Sequence, residues 1–282
     1  MGGFLIVMLT RPLETTGLAA AFTFEGHRLC YTEFGTGDRV VVLAHGLMFT
    51  RRMHAPLARG LAAEGFRVVT LDLLGHGDSD RPRESWHYSI PAFGDQVLAL
   101  LDHLDVDRAV VGGTSLGANV ALEAAVKAPE RLRGIVVEMP VLDNAIVAGL
   151  LAFTPLLFAA RFVPFGVQAV AKVAGLVPQG SQWVDVVTDT LDQRPASMAA
   201  LLHGVFFGRI APPRSVRKRI EVPALVIGHQ RDPVHPFGDA DTLAADLPAA
   251  EFVQARSPVE LRFDPQRLTA AILDFVRRCY AA

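Results

Sequence analysis

Ser115 stands in Gly113-Thr114-Ser115-Leu116-Gly117, where the short β-prone run 109–112 meets a helix of small residues. A residue at such a join has backbone angles that are costly for most side chains, and flanking glycines, lacking a Cβ, relieve the crowding of strand against helix. The hydroxyl is thereby pushed into a cleft beside a helix N-terminus. There the backbone N–H of Leu116 can meet negative charge developing on a substrate oxygen. This is the nucleophile-elbow pattern. A neutral serine is a poor nucleophile near neutral pH, so a base must take its proton and an acid must orient that base.

The surrounding chain supplies elements that could position such a site. Residues 20–25 and 27–34, separated by Gly26, read as an edge hairpin, and 39–44 as a strand buried on both faces. A helix over 53–64, a strand over 66–71, a turn-rich loop over 72–82 and a helix opened by Ser89 follow. Phe93, Val97, Leu101 and Leu104 give that helix its apolar face. The elbow helix stops at Pro129, and 132–137 forms one more buried strand ending at Glu138. After a long interruption the rhythm resumes with a strand over 224–228, a helix over 238–247, a short strand over 251–254 and a last helix opened by Asp264-Pro265. Alternation of this kind predicts an α/β fold with a mostly parallel central sheet flanked by helices.

Residues 139–220 are helix-like, apolar and punctuated by prolines, which predicts an inserted helical cap between core segments 20–138 and 221–282. Its residues Phe153, Leu156, Leu157, Phe158, Phe162, Phe165, Phe206 and Phe207 either pack on one another or line an apolar pocket. Residues 1–19 read as a loose N-terminal extension, since the apolar run 4–9 lacks the basic flank and length of a signal peptide.

The 282 residues are 51% hydrophobic and 20% charged, enough for one large globular domain with an insertion. The net charge of −2, spread along the chain, argues against nucleic acid as a partner and for a hydrophobic small-molecule substrate. Cys30 and Cys279 are far apart and in no metal-like spacing, which predicts free thiols and a cytoplasmic location. The apolar run 145–160 contains Pro155 and is shorter than the ~20 residues of a spanning helix, so no stable membrane insertion is expected. No pair of histidines has metal-ligand spacing, and neither metal nor cofactor is expected. The oligomeric state is left open.

From about residue 20 onward the chain resembles the α/β-hydrolase fold superfamily. His45-Gly46 after a strand resembles the oxyanion loop, residues 72–80 the following rim loop, and 113–117 the elbow, with the insertion after Glu138 and an acid at Asp232 in the expected order. The resemblance implies Ser115 as nucleophile, the N–H groups of Leu47 and Leu116 as oxyanion hole, and Asp232 as acid. Dehalogenase and epoxide hydrolase chemistry of the family type is disfavoured, because it uses a carboxylate where Ser115 stands.

The sequence departs from the family over the base. The loop after the last strand, where the resemblance would place a histidine, reads ARSPVELRF, and no histidine follows His235. His235 can serve only if its loop turns tightly, since three residues span up to ~10 Å when extended. Glu138 is an alternative acid, with His235 or His229 as base, and Glu260 is an alternative base if burial raises its pKa. Two functions stay open on these grounds: a serine hydrolase of hydrophobic esters or related acyl compounds with a displaced base, or a non-hydrolytic lyase, cyclase or ligand-binding protein that keeps the pocket. A partner-binding module using an exposed apolar cap is the third.

Overall fold

The apolar runs become strands of one eight-stranded sheet in the computed structural model, which describes residues 17–142, 154, 155, 158, 162, 195–230, 232 and 234–281. The strands are β1 (Leu18–Phe24), β2 (His27–Phe34), β3 (Val40–Ala44), β4 (Arg67–Leu71), β5 (Ala109–Thr114), β6 (Leu132–Glu138), β7 (Ala224–His229) and β8 (Ala250–Ala255), ordered β1-β2-β4-β3-β5-β6-β7-β8. The β1–β2 hairpin and the β2–β4 pair are antiparallel; every other pairing is parallel. This is the mostly parallel α/β sheet anticipated from the strand and helix rhythm.

The central strands are apolar throughout because both faces are covered. Val41 and Leu43 of β3 pack with α1 (Ala55–Ala63) and α6 (Gln266–Ala281), whereas Val42 and Ala44 face α2 (Ile90–His103), α3 (Leu116–Lys127) and α5 (Phe237–Asp246). Ser89 caps α2 by accepting a hydrogen bond from the Ala92 N–H at 3.2 Å. The helix expected over 53–64 is divided into a 3₁₀ turn, Arg51–His54, and α1, because Pro56 has no N–H to donate and suits only a first helical turn. Strand β1 begins at Leu18, inside the stretch read as a loose extension; residues 1–16 lie outside the described residues.

Most of the expected cap also lies outside the described residues, including Phe153, Leu156, Leu157 and Phe165. Within it, α4 (Pro195–Phe206) is described, and the Phe158 and Phe162 rings meet at a tilt with centroids 5.4 Å apart while remaining exposed. Cys30 and Cys279 are free buried thiols, each pushed up to about 11 by burial. Among the described residues, no helix is long and apolar enough to cross a membrane, and no group of three or more His, Cys, Asp or Glu side chains is arranged to hold a metal ion.

The rim loop after β4 is tied down by Asp72, which is fully buried. Its carboxylate accepts the backbone N–H of Arg51 at 2.6 Å and of Asp78 at 2.9 Å, and pairs with the Arg51 guanidinium. Burial alone would raise this carboxyl, but Arg51 holds it below the usual carboxylate range. This ion pair fixes the position of the loop relative to the end of β3, where the site begins.

Candidate active site

Strand β5 passes directly into α3 at Ser115, whose backbone lies at φ 55°, ψ −109°. Such angles cost on the order of 1–3 kcal/mol and persist only where the surroundings over-determine them. Here the Ser115 N–H donates to the Glu138 carbonyl at 2.8 Å, and the Ser115 carbonyl accepts from the Asn119 N–H at 3.1 Å. A Cβ at Gly113 or Gly117 would be driven into the Ala44 carbonyl, so these two positions must stay bare for β3, β5 and α3 to meet.

The hydroxyl meets an imidazole from the loop after β7. Ser115 Oγ lies 2.8 Å from His235 Nε2, and His235 Nδ1 lies 2.9 Å from Asp232 Oδ2. A neutral imidazole facing a carboxylate carries its proton on that side, so Nδ1–H donates to Asp232 and Nε2 is left to accept from the serine. The tight turn that the three-residue spacing demands is made by Asp232 itself. Its other oxygen, Oδ1, accepts the backbone N–H of Val234 at 2.8 Å and of His235 at 3.0 Å. Burial would raise the Asp232 carboxyl, but these bonds and the imidazole hold it below its ordinary value.

Leu47 and Leu116 line the same pocket as Ser115 and His235. Neither backbone N–H has an acceptor among the described residues, as suits donors aimed at a ligand. The loop bearing Leu47 is held by His45, fully buried at its base. The His45 Nε2 accepts the Leu73 N–H at 3.1 Å, so the proton sits on Nδ1 and is donated to the Gly46 carbonyl at 2.8 Å. Burial keeps this imidazole neutral, and the His76 ring lies tilted beside it with centroids 4.5 Å apart, also neutral through burial. Both histidines are structural in this arrangement.

The remaining candidates stand elsewhere. His229 Nδ1 donates to the Ser257 carbonyl at 2.8 Å, and its Nε2 lies 3.4 Å from Glu138, long for a hydrogen bond. Glu138 and His229 therefore face each other; His229 is not hydrogen-bonded to the Ser115 hydroxyl, and the imidazole that is, His235, pairs with Asp232 and not with Glu138. Glu260 is bound by both carboxylate oxygens to Arg267 and accepts the Arg256 N–H. Those bonds hold its carboxyl low, the opposite of the rise a general base would need.

Three side chains of the site region escaped the sequence reading. Arg262 donates to Glu138 and Thr114, His54 to the Ala44 carbonyl, and Asn119 to the Val141 and Ile210 carbonyls at 2.7 and 2.8 Å. Asn119 thus ties together segments at either end of the expected cap. The pocket wall is apolar, formed by Leu47, Ile90, Leu116, Val205, Phe206 and Ile210, the last three from α4 and the chain that follows it. Phe206 lines the pocket, whereas Phe207 is exposed.

A helix-flanked, mostly parallel sheet carrying a serine on a strained strand-to-helix turn, with an apolar pocket at that turn, defines an α/β protein organised around that turn. The sequence matches the alpha/beta hydrolase fold family over residues 39–257, and the chain belongs to that family. An uncharacterized protein of Mycobacterium tuberculosis is 32% identical over 153 residues, covering 53% of this chain and 40% of that one. A bifunctional epoxide hydrolase of Sus scrofa is 34% identical over 113 residues, covering 39% and 20%. The chain spans less than half the length of these curated relatives. Among solved structures, a hydrolase from Pseudomonas aeruginosa PA01 superposes with TM-score 0.74 at 24% identity, covering 92% of this chain and 98% of that one. The enol-lactonase of Burkholderia xenovorans LB400 superposes with TM-score 0.74 at 23% identity, covering 92% and 100%. These likenesses speak to the fold.

Proposed function

We propose that the protein is a serine hydrolase acting on a hydrophobic carboxylic ester or related acyl compound, with Ser115 as nucleophile, His235 as base and Asp232 as acid. The observation that carries this reading is the continuous chain from Ser115 Oγ to His235 Nε2 at 2.8 Å and from Nδ1 to Asp232 Oδ2 at 2.9 Å. The acyl carbon receives the serine oxygen as its proton passes to Nε2, and Asp232 stabilises the resulting imidazolium. Negative charge moves to the former carbonyl oxygen, where the N–H groups of Leu47 and Leu116 are available. The imidazolium then gives its proton to the leaving alkoxide, and a water activated by the same base releases the acid. Asp232 and His235 on one loop make a displaced but complete acid–base pair, and the ester-related enzymes among the structural neighbours are in keeping with it.

The apolar wall supports a small acyl or alkyl group as the bound moiety, and residues 139–220 are assigned the role of cap through Val205, Phe206 and Ile210. A fluorophosphonate probe tests the reading directly. Wild-type protein is expected to be labelled at Ser115 and to hydrolyse p-nitrophenyl butyrate, with both lost in Ser115→Ala. Ester turnover that survives Ser115→Ala overturns it, and a folded wild type with neither labelling nor turnover favours the non-hydrolytic alternative.

A further inference from the structure

The loop after β8 holds no histidine, yet it reaches the elbow. Arg262 extends from the short helical turn Glu260–Phe263 and donates to the Glu138 carboxylate at 2.6 Å and to the Thr114 hydroxyl at 2.7 Å. Thr114 in turn donates its hydroxyl to Glu138. Thr114 is the residue immediately before Ser115, and the backbone carbonyl of Glu138 accepts the Ser115 N–H at 2.8 Å. One glutamate therefore grips two successive residues of the elbow, one through its side chain and one through its main chain. Both Glu138 and Thr114 are buried.

The end of β3 beside the elbow is braced as well. His54 Nε2–H donates to the Ala44 carbonyl at 3.0 Å, the same carbonyl against which Gly113 and Gly117 are packed. Burial drives the His54 imidazole down to about 3, so it remains a neutral strut. Glu138 is different, because it is a charge without water. A buried carboxylate is tolerable only when paired and hydrogen-bonded, and the groups that face it are Arg262 from the β8 loop, Thr114 from β5 and His229 from β7, with His54 nearby. Arg262 is the permanent cation among them.

We propose that Arg262 is a positioning residue for the Ser115 nucleophile: by neutralising Glu138 and bridging it to Thr114, it holds the strained elbow in the register that places Oγ against His235. The proposal rests on the reading of Ser115 as nucleophile. It gives the β8 loop a role in the site that is electrostatic bracing rather than proton transfer. Bracing of this kind acts on alignment in the transition state more than on binding of the acyl group, whose pocket is lined by other residues.

The test compares wild type with Arg262→Met, Arg262→Lys, Glu138→Gln and the double variant Arg262→Met/Glu138→Gln, in p-nitrophenyl butyrate hydrolysis across pH and in the rate of fluorophosphonate labelling. Arg262→Met is expected to lower kcat by about tenfold or more with KM changed less than about twofold. Its kcat should also fall as pH rises, through an ionisation absent from wild type, because Glu138 deprotonates without a permanent cation and His229 loses its proton over the same direction of pH. The double variant, with no carboxylate left to ionise, should lose that extra ionisation and recover part of kcat, and Lys should rescue more than Met. Should Arg262→Met fail to fold, Glu138→Gln carries the test, with kcat lowered at unchanged KM. Unchanged kcat and pH profile in Arg262→Met, or in Glu138→Gln if that variant stands alone, overturns the role of Arg262 while leaving the serine hydrolase reading intact. A kcat loss equal in the single and double variants, with no new ionisation, also overturns it. Absence of Ser115-dependent labelling in wild type overturns both.

Discussion

Replacing Asp232 by Asn is the most informative single change, because it preserves the loop and alters only the proton register. Asp232 Oδ1 accepts the Val234 and His235 N–H groups, and an Asn carbonyl oxygen can accept both in the same place. The amide nitrogen then takes the position of Oδ2, 2.9 Å from His235 Nδ1, and presents a donor where an acceptor stood. To accept from it, Nδ1 must be bare, which moves the imidazole proton to Nε2. That nitrogen faces Ser115 Oγ at 2.8 Å and can no longer take the serine proton. A wrong-tautomer substitution of this kind in a Ser-His-Asp site costs about 10⁴ in kcat. At one decade per 1.36 kcal/mol this is about 5 kcal/mol of transition-state stabilisation. The expected outcome for Asp232→Asn is a kcat loss of that order with KM little changed, and a thermal midpoint within a few degrees of wild type since the turn is retained. Steady-state hydrolysis of p-nitrophenyl butyrate together with the rate of phosphonate labelling measures it. A folded Asp232→Asn within about tenfold of wild type would refute the role of Asp232 as orienting acid. A larger loss in Glu138→Gln than in Asp232→Asn would move the acid to the end of β6.

Stability should fall between neutral pH and about pH 5 because His54 and His76 are buried neutral, with His54 held down to about 3. The unfolded chain binds a proton at each below about pH 6.5, whereas burial opposes it in the folded chain, so His54 should cost about 2 kcal/mol at about pH 5 and His76 acts in the same direction. His229, held above its usual value by Glu138 and Ser257 against the effect of burial, acts in the opposite sense. Denaturant melts of wild type and His54→Gln at the two pH values check this, the variant losing about 2 kcal/mol less; an equal loss refutes it. Arg51→Met leaves the buried Asp72 carboxylate without its cation and should cost about 3–5 kcal/mol in the same assay, whereas a cost under about 1 kcal/mol would show that the rim loop is held by other contacts. Asn119→Ala removes the bonds to the Val141 and Ile210 carbonyls and should cost about 1–3 kcal/mol in a denaturant melt while raising KM for acyl substrates; an unchanged KM would show that these two segments do not need Asn119 to shape the pocket.

The strands and the elbow were legible because their cause is local. Valine-rich runs such as 40–44 need two covered faces, and Gly113 and Gly117 flank Ser115 in a recognisable strand-to-helix pattern, although the Ala44 carbonyl that keeps them bare comes from a distant strand. The start of α1 was blurred because Pro56 is compatible both with the turn that precedes it and with the first turn of the helix. Arg262 was invisible for a different reason. A charged residue in a polar loop reads as solvated, and nothing near it in sequence reveals that its partners are Glu138 and Thr114, more than a hundred residues away.

The proposed base lies between these cases. His235 was legible as a candidate by its place after β7, but three residues from Asp232 is a separation that an extended chain would spend in moving the two apart. What decides the matter is the second oxygen of Asp232, which captures the Val234 and His235 N–H groups and folds the chain back within one turn. The same carboxylate then both builds the loop and orients the imidazole, so the two functions cannot be separated by Ala at position 232 and can be by Asn. In the proposed arrangement the base is independent of the loop after β8, and Arg262 of that loop pairs instead with Glu138. The site should therefore tolerate alterations in 256–261 that a base-bearing loop would not, provided Arg262 keeps its reach to Glu138 and Thr114.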